Sequence, residues 1–292
     1  MTGDSRLASG YDRLAGSDAY ERYIGRWSRP VADQFVVWLD VPPVQRWLDV
    51  GCGTGALSQA ILKRSAPASL VGVDPVEPFI ARASAALTDP RASFRLGSAV
   101  DTGLSDGAAD VVVAGLVLNF VPDVGAALGE WRRVLAPGGV VGAYVWDYAG
   151  GMGFIRQFWD AAVAVDPAAT ALDQGGRSGV TGAGQLEAAV RAAGFVAVEA
   201  HSIAIPTVFA DFDDLWLPFL GGTGGAPGYV ATLDDSQRDA IREQLRRSVS
   251  AAPDGSIHLE ARAWAVRAHG PSVVRRWRTP APSPDPGSPA PA

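Results

Sequence analysis

A glycine-rich segment, Gly51-Cys52-Gly53-Thr54-Gly55, has the residue types and the spacing to bind a ligand through its backbone. We call residues 51–55 the glycine turn. Alternating glycines let the chain turn sharply and approach a ligand without interference from a Cβ atom. The helix predicted to follow offers free backbone N–H groups at its start. The third glycine comes one residue earlier than in the G-x-G-x-x-G dinucleotide pattern. The spacing therefore favours a ligand with a flat amino-acid moiety over a pyrophosphate.

An acidic residue, Asp74, ends the next predicted strand, nineteen residues after Gly55. A carboxylate at this place can accept hydrogen bonds from both hydroxyls of a ribose. The third predicted strand runs into Gly97-Ser98-Ala99, where an adenine would lie. These segments converge at the carboxyl ends of strands, where open α/β sheets bind their ligands. The pattern indicates a ligand that contains a nucleoside, with a helix cap as the alternative role for Asp74.

The elements that must position these residues alternate between short apolar runs and helical patterns, which predicts a parallel α/β sheet. Strands are predicted at 46–50, 70–74, 93–96, 110–116, 140–146, 195–205 and 257–266. Helices are predicted at 56–64, 77–87, 124–135, 154–165, 183–193 and 235–248. Apolar residues also recur at helical spacing from Tyr20 to Leu39, where Pro30 is expected to begin a second helix. The prediction is one doubly wound α/β domain.

Tyr20 to Tyr148 resembles the class I methyltransferases that use S-adenosylmethionine (SAM), in the small-molecule branch that includes the ubiquinone and menaquinone biosynthetic enzymes. The motifs that carry the resemblance are LDVGCGTG (48–55), VGVD (71–74), VLNFVPD (117–123) and EWRRVLAPGGVVGAYVW (130–146). The resemblance implies a Rossmann-like, seven-stranded, mostly parallel sheet with a helical cap, in which strand 257–266 inserts antiparallel beside the fifth strand. It also implies SAM as the cofactor and a small molecule as the methyl acceptor.

The resemblance assigns roles to individual residues. The glycine turn is expected along the methionine part of SAM, Asp74 on the ribose, and Leu116 and Asn119 beside the sulfonium. Many relatives carry an aspartate at the adenine turn, where this chain has Ser98, and Asp101 is a substitute acceptor for the adenine amine. The full set expected to bind SAM is Tyr20, Arg26, Asp49, Gly51, Cys52, Gly53, Gly55, Asp74, Pro75, Ser98, Ala99, Leu116 and Asn119.

The segment from Tyr20 to Arg29 resembles the lid that precedes the core in some of these enzymes. Arg26, with Arg29 as the alternative, is expected to pair with the SAM carboxylate, because a guanidinium forms two parallel hydrogen bonds with such a group. The Tyr20 ring is expected to cover the cofactor.

Side chains for catalysis and for the acceptor are less clearly marked. Asp147 follows the fifth strand and is a candidate general base, with a capping or loop role as an equal alternative. Cys52 is interpreted as a small buried filler rather than a nucleophile. Orientation of the reactants alone supplies about 7–11 kcal/mol, so a methyltransferase needs no catalytic dyad. Candidates for the acceptor pocket are Trp159, Trp216 and Phe219, whereas helical spacing favours core packing for Phe154 and Phe158.

Composition excludes several other classes. A net charge of -6 with thinly spread arginines argues against a nucleic-acid partner. One cysteine and three scattered histidines predict no metal centre. The start of the chain has no secretory pattern, and the apolar run 111–121 is about half of the ~20 residues that a membrane span needs. A cytoplasmic protein without a membrane span is expected.

Five segments are predicted along the chain: an N-terminal helical lid (1–44), the SAM-binding core (45–205), a substrate-cap insertion (206–250), the final core strand (251–270) and a disordered Pro-rich tail (271–292). Two alternative functions remain open. An NAD-dependent oxidoreductase is disfavoured by the glycine spacing and by the absence of a Tyr-x-x-x-Lys pattern. A non-catalytic SAM-binding protein is compatible with the same glycine turn.

Overall fold

The computed structural model describes residues 21–173, 175, 180, 182–222 and 225–271. Tyr20 and the tail beyond residue 271 lie outside the described residues. The strands are β1 (Arg46–Val50), β2 (Ser69–Asp74), β3 (Ala92–Leu96), β4 (Ala109–Gly115), β5 (Leu135–Trp146), β6 (Val196–Phe209) and β7 (Ile257–His269). They form a seven-stranded sheet in the order β3-β2-β1-β4-β5-β7-β6. Strands β1 to β5 run parallel, and β7 lies antiparallel between β5 and β6. The predicted fold, including the place of the last strand, is confirmed.

Helices cover both faces of this sheet. They are α1 (Arg26–Leu39), α2 (Ala56–Arg64), α3 (Glu77–Ala86), α4 (Val124–Val134), α5 (Gly153–Val165), α6 (Ala183–Ala192), α7 (Phe212–Trp216), α8 (Gly225–Val230) and α9 (Asp235–Ser248). Helices α1, α2, α5 and α9 contribute to one apolar core, and α4 and α6 contribute to the core on the opposite face. A sheet buried on both faces explains why β4 reads as a continuous apolar run. Within the described residues, no helix combines the length and the apolar character that crossing a membrane would require.

The predicted ligand-binding loops lie at the topological switch point of the sheet. Strand β1 has β2 on one side and β4 on the other, so the chain leaves β1 and β4 in opposite directions. Ligands of open α/β sheets bind in the crevice that forms at such a point. The glycine turn follows β1, and a short 3-10 helix (Leu118–Phe120) follows β4. These two loops therefore border the crevice.

Two local predictions differ from the structure. Pro30 does not begin a second helix, because α1 runs without a break from Arg26 to Leu39. Near a helix start a proline removes only one early hydrogen bond, and a wider π-helical turn (Glu21–Gly25) precedes it here. Strand β6 continues to Phe209, so the boundary predicted at residue 205 falls inside this strand.

Candidate functional site

The glycine turn combines close packing at one end with open space in its middle. Gly51, Gly53 and Gly55 have φ angles of 68°, 52° and 93°, which L side chains rarely adopt. A Cβ atom added to Gly51 would lie 2.5 Å from Cγ2 of Val117. A Cβ atom added to Gly53 would meet no heavy atom within 4 Å. The turn thus packs against the loop after β4 and leaves room for a ligand at Gly53.

The packing at Gly51 gives a first prediction. Gly51→Ala is expected to lower the free energy of unfolding by about 2 kcal/mol or more, because the left-handed backbone is strained and Val117 must move. The matched control is Gly129→Ala in α4, where a Cβ meets nothing within 4 Å. That change should be neutral or stabilising by up to about 1 kcal/mol. Urea denaturation of both variants checks this, and equal stability of the two would contradict it.

Asp74 faces the glycine turn. Its Oδ2 accepts a hydrogen bond from the Gly53 N–H at 3.0 Å, and its Oδ1 accepts one from the Val76 N–H at 2.9 Å. Burial raises the pKa of this carboxyl, while the two backbone hydrogen bonds oppose the rise. Each carboxylate oxygen has two lone pairs, so one remains on each for a ribose hydroxyl. Val76 is itself the N-cap residue of α3, and no side chain caps this helix start, so the capping alternative for Asp74 has no support from these contacts. Pro75, predicted to lie beside the ligand, follows Asp74 and is exposed.

Asp49, at the end of β1, holds an unpaired buried oxygen below the turn. The side chain is 1% exposed, and its Oδ2 accepts a hydrogen bond from the Ser58 hydroxyl at 2.7 Å. Its Oδ1 is buried and has no partner among the described residues. Burial, together with the smaller effect of the Asp74 charge, raises the pKa of Asp49 to about 7 against the opposing Ser58 hydrogen bond. A buried carboxylate oxygen without a donor is costly. It suits the ammonium group of an amino-acid ligand.

Cys52 packs inside the turn rather than presenting a reactive thiol. A Cβ atom added to Gly72 of β2 would lie 3.0 Å from its Sγ, so the strand approaches the sulfur closely. Burial, with the nearby charges of Asp49 and Asp74, raises the pKa of the thiol far above its usual value. Only the thiolate is a strong nucleophile, so this cysteine is unreactive at neutral pH. The geometry supports its interpretation as a filler.

The predicted adenine turn is closed by its own hydrogen bonds. Ser98 N–H donates to the Asp101 carbonyl at 2.7 Å, and Asp101 N–H donates to the Ser98 hydroxyl at 3.1 Å. The Ser98 hydroxyl can still donate its own hydrogen. Asp101, the substitute acceptor, receives a hydrogen bond from the Gly103 N–H on Oδ1 at 3.2 Å. Both side chains thus retain capacity for an adenine.

Helix α4 holds this turn, a role that the sequence interpretation missed. Trp131 Nε1 donates to the carbonyl of Ala99, one of the predicted SAM residues, at 3.1 Å. Thr102 donates through N and Oγ1 to Glu130 Oε1 at 2.9 and 2.7 Å. Arg133, aided by these donors from Thr102, lowers the pKa of Glu130 to about 2. The EWRR motif therefore fixes the loop after β3, and its Glu-Trp pair was the available signal.

The loop after β4 carries two further predicted residues. Leu116 has a φ of 64°, and its N–H donates to the Tyr144 carbonyl at 2.8 Å. A non-glycine residue in this region is strained, and such strain gathers at functional sites. Asn119 Oδ1 is buried without a partner in the described structure. Val117, which lies between them in sequence, is the residue of this loop that meets Gly51.

Asp147, the candidate general base, is held in an ion pair. Its Oδ2 accepts two hydrogen bonds from Arg262, at 2.9 and 2.7 Å, and its Oδ1 accepts one from the Gly150 N–H at 3.2 Å. Both oxygens are engaged, which favours the capping and loop alternative. A role as general base stays a prediction without support from these contacts.

The predicted carboxylate-binding arginine lies among aromatic rings. Arg26 Nη1 pairs with Asp214 Oδ1 at 2.9 Å. Its guanidinium carbon lies 4.5 Å from the centre of the Trp27 ring and 4.8 Å from that of Phe209. Its Nε and Nη2 are buried and have no partner in the described part of the chain. The alternative, Arg29, pairs with Glu21 at the surface.

The three candidates for the acceptor pocket belong to one group of buried rings. Phe158 and Phe219 stack with centroids 4.5 Å apart, Trp159 lies 5.5 Å from Tyr229, and Trp216 lies 6.2 Å from Phe219. We call the group the aromatic cluster, and each ring in it is less than one tenth exposed: Tyr23, Trp27, Phe154, Phe158, Trp159, Phe209, Trp216, Phe219 and Tyr229. The core packing predicted for Phe154 and Phe158 agrees with their burial. In the part of the chain that the structure describes, no group of three His, Cys, Asp or Glu residues is placed to hold a metal.

Comparison with known proteins agrees with this geometry. The family model described as a methyltransferase domain matches residues 48–142. A nocamycin O-methyltransferase of Saccharothrix syringae is 31% identical over 266 residues, which cover 84% of this chain and 91% of the relative. The YcgJ protein of Bacillus subtilis has a similar fold, with a TM-score of 0.53 at 16% identity over 82% of this chain and 97% of its own. Haemonchus contortus phosphoethanolamine N-methyltransferase 2, in a complex with S-adenosylhomocysteine, gives a TM-score of 0.51 at 15% identity over 82% of this chain and 52% of its own.

Proposed function

This chain belongs to the class I SAM-dependent methyltransferases of small molecules, and on that premise we propose that it binds SAM at the glycine turn and methylates a small acceptor. The observation that carries the proposal is the orientation of Asp74, whose carboxylate meets the Gly53 N–H at 3.0 Å. The turn that would hold the amino-acid end and the carboxylate that would hold the ribose thus face one crevice. The buried, unpaired Asp49 Oδ1 in the same place suits the ammonium group.

The residues of the site have separate tasks in this proposal. Asp49 and the glycine turn, Cys52 included, hold the methionine part, Asp74 and Pro75 lie at the ribose, and Ser98 and Ala99 at the adenine. Leu116 and Asn119 flank the sulfur. Bound SAM supplies a methyl group on a positively charged sulfur. The chain orients the acceptor and excludes water, with residues 21–44 of the lid and residues 210–222 and 225–250 after β6 covering the crevice. We place the protein in the cytoplasm.

Titration calorimetry with SAM tests the cofactor, and formation of S-adenosylhomocysteine (SAH) tests catalysis. We expect SAM to bind with a 1:1 stoichiometry and SAH to form when a suitable acceptor is added. The relative from Saccharothrix syringae is named an O-methyltransferase, which makes oxygen acceptors the first to test. Absence of SAM binding would overturn the proposal. SAM binding with no SAH from any acceptor would leave the non-catalytic alternative, and binding of NAD in place of SAM would favour the oxidoreductase.

A further inference from the structure

The aromatic cluster contains buried hydrogen-bonding atoms that no described residue satisfies. They are Tyr23 Oη, Trp27 Nε1, Trp159 Nε1 and Tyr229 Oη, together with Nε and Nη2 of the adjacent Arg26. A buried polar atom without a partner costs about 1–3 kcal/mol, and native proteins keep few of them. Several of these atoms on touching rings therefore indicate a ligand that supplies the missing acceptors.

Arg26 is held so that one edge of its guanidinium is buried without a hydrogen-bond partner among the described residues. Asp214 Oδ1 receives the bond from Nη1, while Asp214 Oδ2 accepts the Ala210 N–H at 3.0 Å. The rings of Trp27 and Phe209 lie within 5 Å of the guanidinium carbon and restrict its movement. The remaining edge, Nε and Nη2, is the two-donor fork that matches a carboxylate. A two-donor edge that is fixed, buried and without an acceptor is a specific binding site for a carboxylate.

The cluster adds an apolar surface and further donors around this fork. Indole N–H groups can only donate, so Trp27 and Trp159, like Arg26, need acceptors. Tyr23 packs on Phe219 with centroids 5.5 Å apart. Burial raises the pKa of Tyr23 well above its usual value. Tyr148, which follows the carboxyl end of β5, belongs to the same buried core as the cluster. The cluster therefore reaches the edge of the sheet at which methyl transfer is proposed.

We infer that the aromatic cluster is the acceptor site and that Arg26 binds a carboxylate of an otherwise apolar acceptor. This inference rests on the proposed function, and it gives Arg26 a different partner from the SAM carboxylate expected from the resemblance. The neighbours of Arg26 are Trp27, Phe209 and Asp214, whereas the amino-acid end of SAM is assigned to the glycine turn and Asp49. The acceptor class is thus a small aromatic or aliphatic carboxylic acid.

Matched acids and amides test the charge preference on SAH-loaded protein. The probes are trans-cinnamate, phenylacetate, 2-naphthoate and decanoate, each paired with its primary amide, and binding is followed by calorimetry. At least one acid should bind about 10- to 100-fold more tightly than its amide, because bonds to a charged group are strong. Arg26→Ala should remove this preference and Arg26→Lys should weaken it, because lysine lacks the fork. Arg191→Ala, which alters a surface pair with Glu187, should leave it unchanged.

The SAM affinity of each variant separates the possible failures. The inference predicts a change of less than about twofold in SAM affinity for Arg26→Ala. A large loss of SAM affinity with the acid preference intact would assign Arg26 to the SAM carboxylate and overturn the inference, while the proposed function would stand. No preference for any acid would also overturn it. Failure of the wild-type protein to bind SAM would instead remove the proposed function.

A second variant guards against loss of folding in Arg26→Ala. Asp214→Asn keeps the size of the side chain but releases its hold on Arg26, and it should reduce the acid preference without removing it. The control is the neighbouring Asp213→Asn, which alters a surface pair with Arg242 at 3.0 Å. Circular dichroism and thermal melting establish folding for all variants. Equal acid preference in the two aspartate variants would contradict a positioning role for Asp214.

Discussion

Asp74→Ala is expected to weaken SAM binding by about 100-fold or more while the protein stays folded. Two ribose hydroxyls would each lose a hydrogen bond to a charged acceptor, and such bonds contribute about 1.5–3 kcal/mol each. The change also removes the two hydrogen bonds that Asp74 accepts from the Gly53 and Val76 N–H groups, at 3.0 and 2.9 Å. Calorimetric titration with SAM at constant pH measures the loss.

A matched aspartate separates lost binding from lost stability. Asp234 also accepts a backbone hydrogen bond at a helix start, from the Gln237 N–H at 2.8 Å, in the capping box of α9. Asp234→Ala should cost about 1 kcal/mol of stability, as cap removals do, and leave SAM affinity unchanged. If Asp74→Ala and Asp234→Ala bound SAM equally well, the ribose role of Asp74 would be refuted and the site would have to lie elsewhere.

Local patterns sufficed for the elements that border the site. Strand β1 (Arg46–Val50) and helix α2 (Ala56–Arg64) have the predicted bounds, because the glycine turn ends the strand and the helix begins directly after it. Asp74 lies where its distance from Gly55 placed it, at the end of β2. Such features depend on neighbours in sequence, so the spacing of glycines and of an acidic residue is enough to predict them.

Pairing between distant segments overrode two local stop signals. The sixth strand is predicted to end at residue 205, just before Pro206, yet β6 continues to Phe209. Strand β6 is at the edge of the sheet, where a proline without an N–H is tolerated. The fifth strand is predicted to start at residue 140, after Pro137-Gly138-Gly139, but β5 begins at Leu135, and its pairing with β4 shifts register beyond Ala109. The proline and the two glycines therefore lie at an irregularity inside a longer strand.

The contacts that decide the roles of Arg26 and Asp147 were beyond local patterns. Arg26 pairs with a residue 188 positions away, and Asp147 pairs with one 115 positions away. In a single sequence nothing links such partners, so the two residues were assigned by resemblance and by position. Arg262 engages the Asp147 oxygen that a general base would need, and Asp214 fixes Nη1 of Arg26 among aromatic rings. The aromatic cluster is a similar case, since it joins α5 to segments that follow β6.

SAM affinity is expected to fall as the pH drops below about 7, because Asp49 must be ionised to hold an ammonium group. In the ligand-free protein, burial raises the pKa of Asp49 to about 7. Below that pH a proton has to leave before the buried Oδ1 can accept, so Kd should rise by about tenfold per pH unit, while it stays nearly flat from pH 7.5 to 8. Calorimetry between pH 5.5 and 8 measures the slope. Asp49→Asn should bind SAM weakly and lose most of this slope.

The Asp49 carboxyl also affects folding stability, and its effect has the opposite pH dependence: SAM binding is favoured at high pH and stability at low pH. The pKa of Asp49 is raised from 3.8 in the unfolded chain to about 7 in the folded one, so the folded state retains the proton between these values. Its contribution to stability is full below pH 4 and is lost as the pH rises through 7. Ser58→Ala removes the opposing hydrogen bond and should move the break in both profiles to higher pH. A wild-type SAM affinity that did not change between pH 6 and 8 would mean that Asp49 does not contact the ammonium group. If SAM affinity and stability change slope at the same pH, then the buried Asp49 oxygen that destabilises the ligand-free protein is also the one that holds the cofactor.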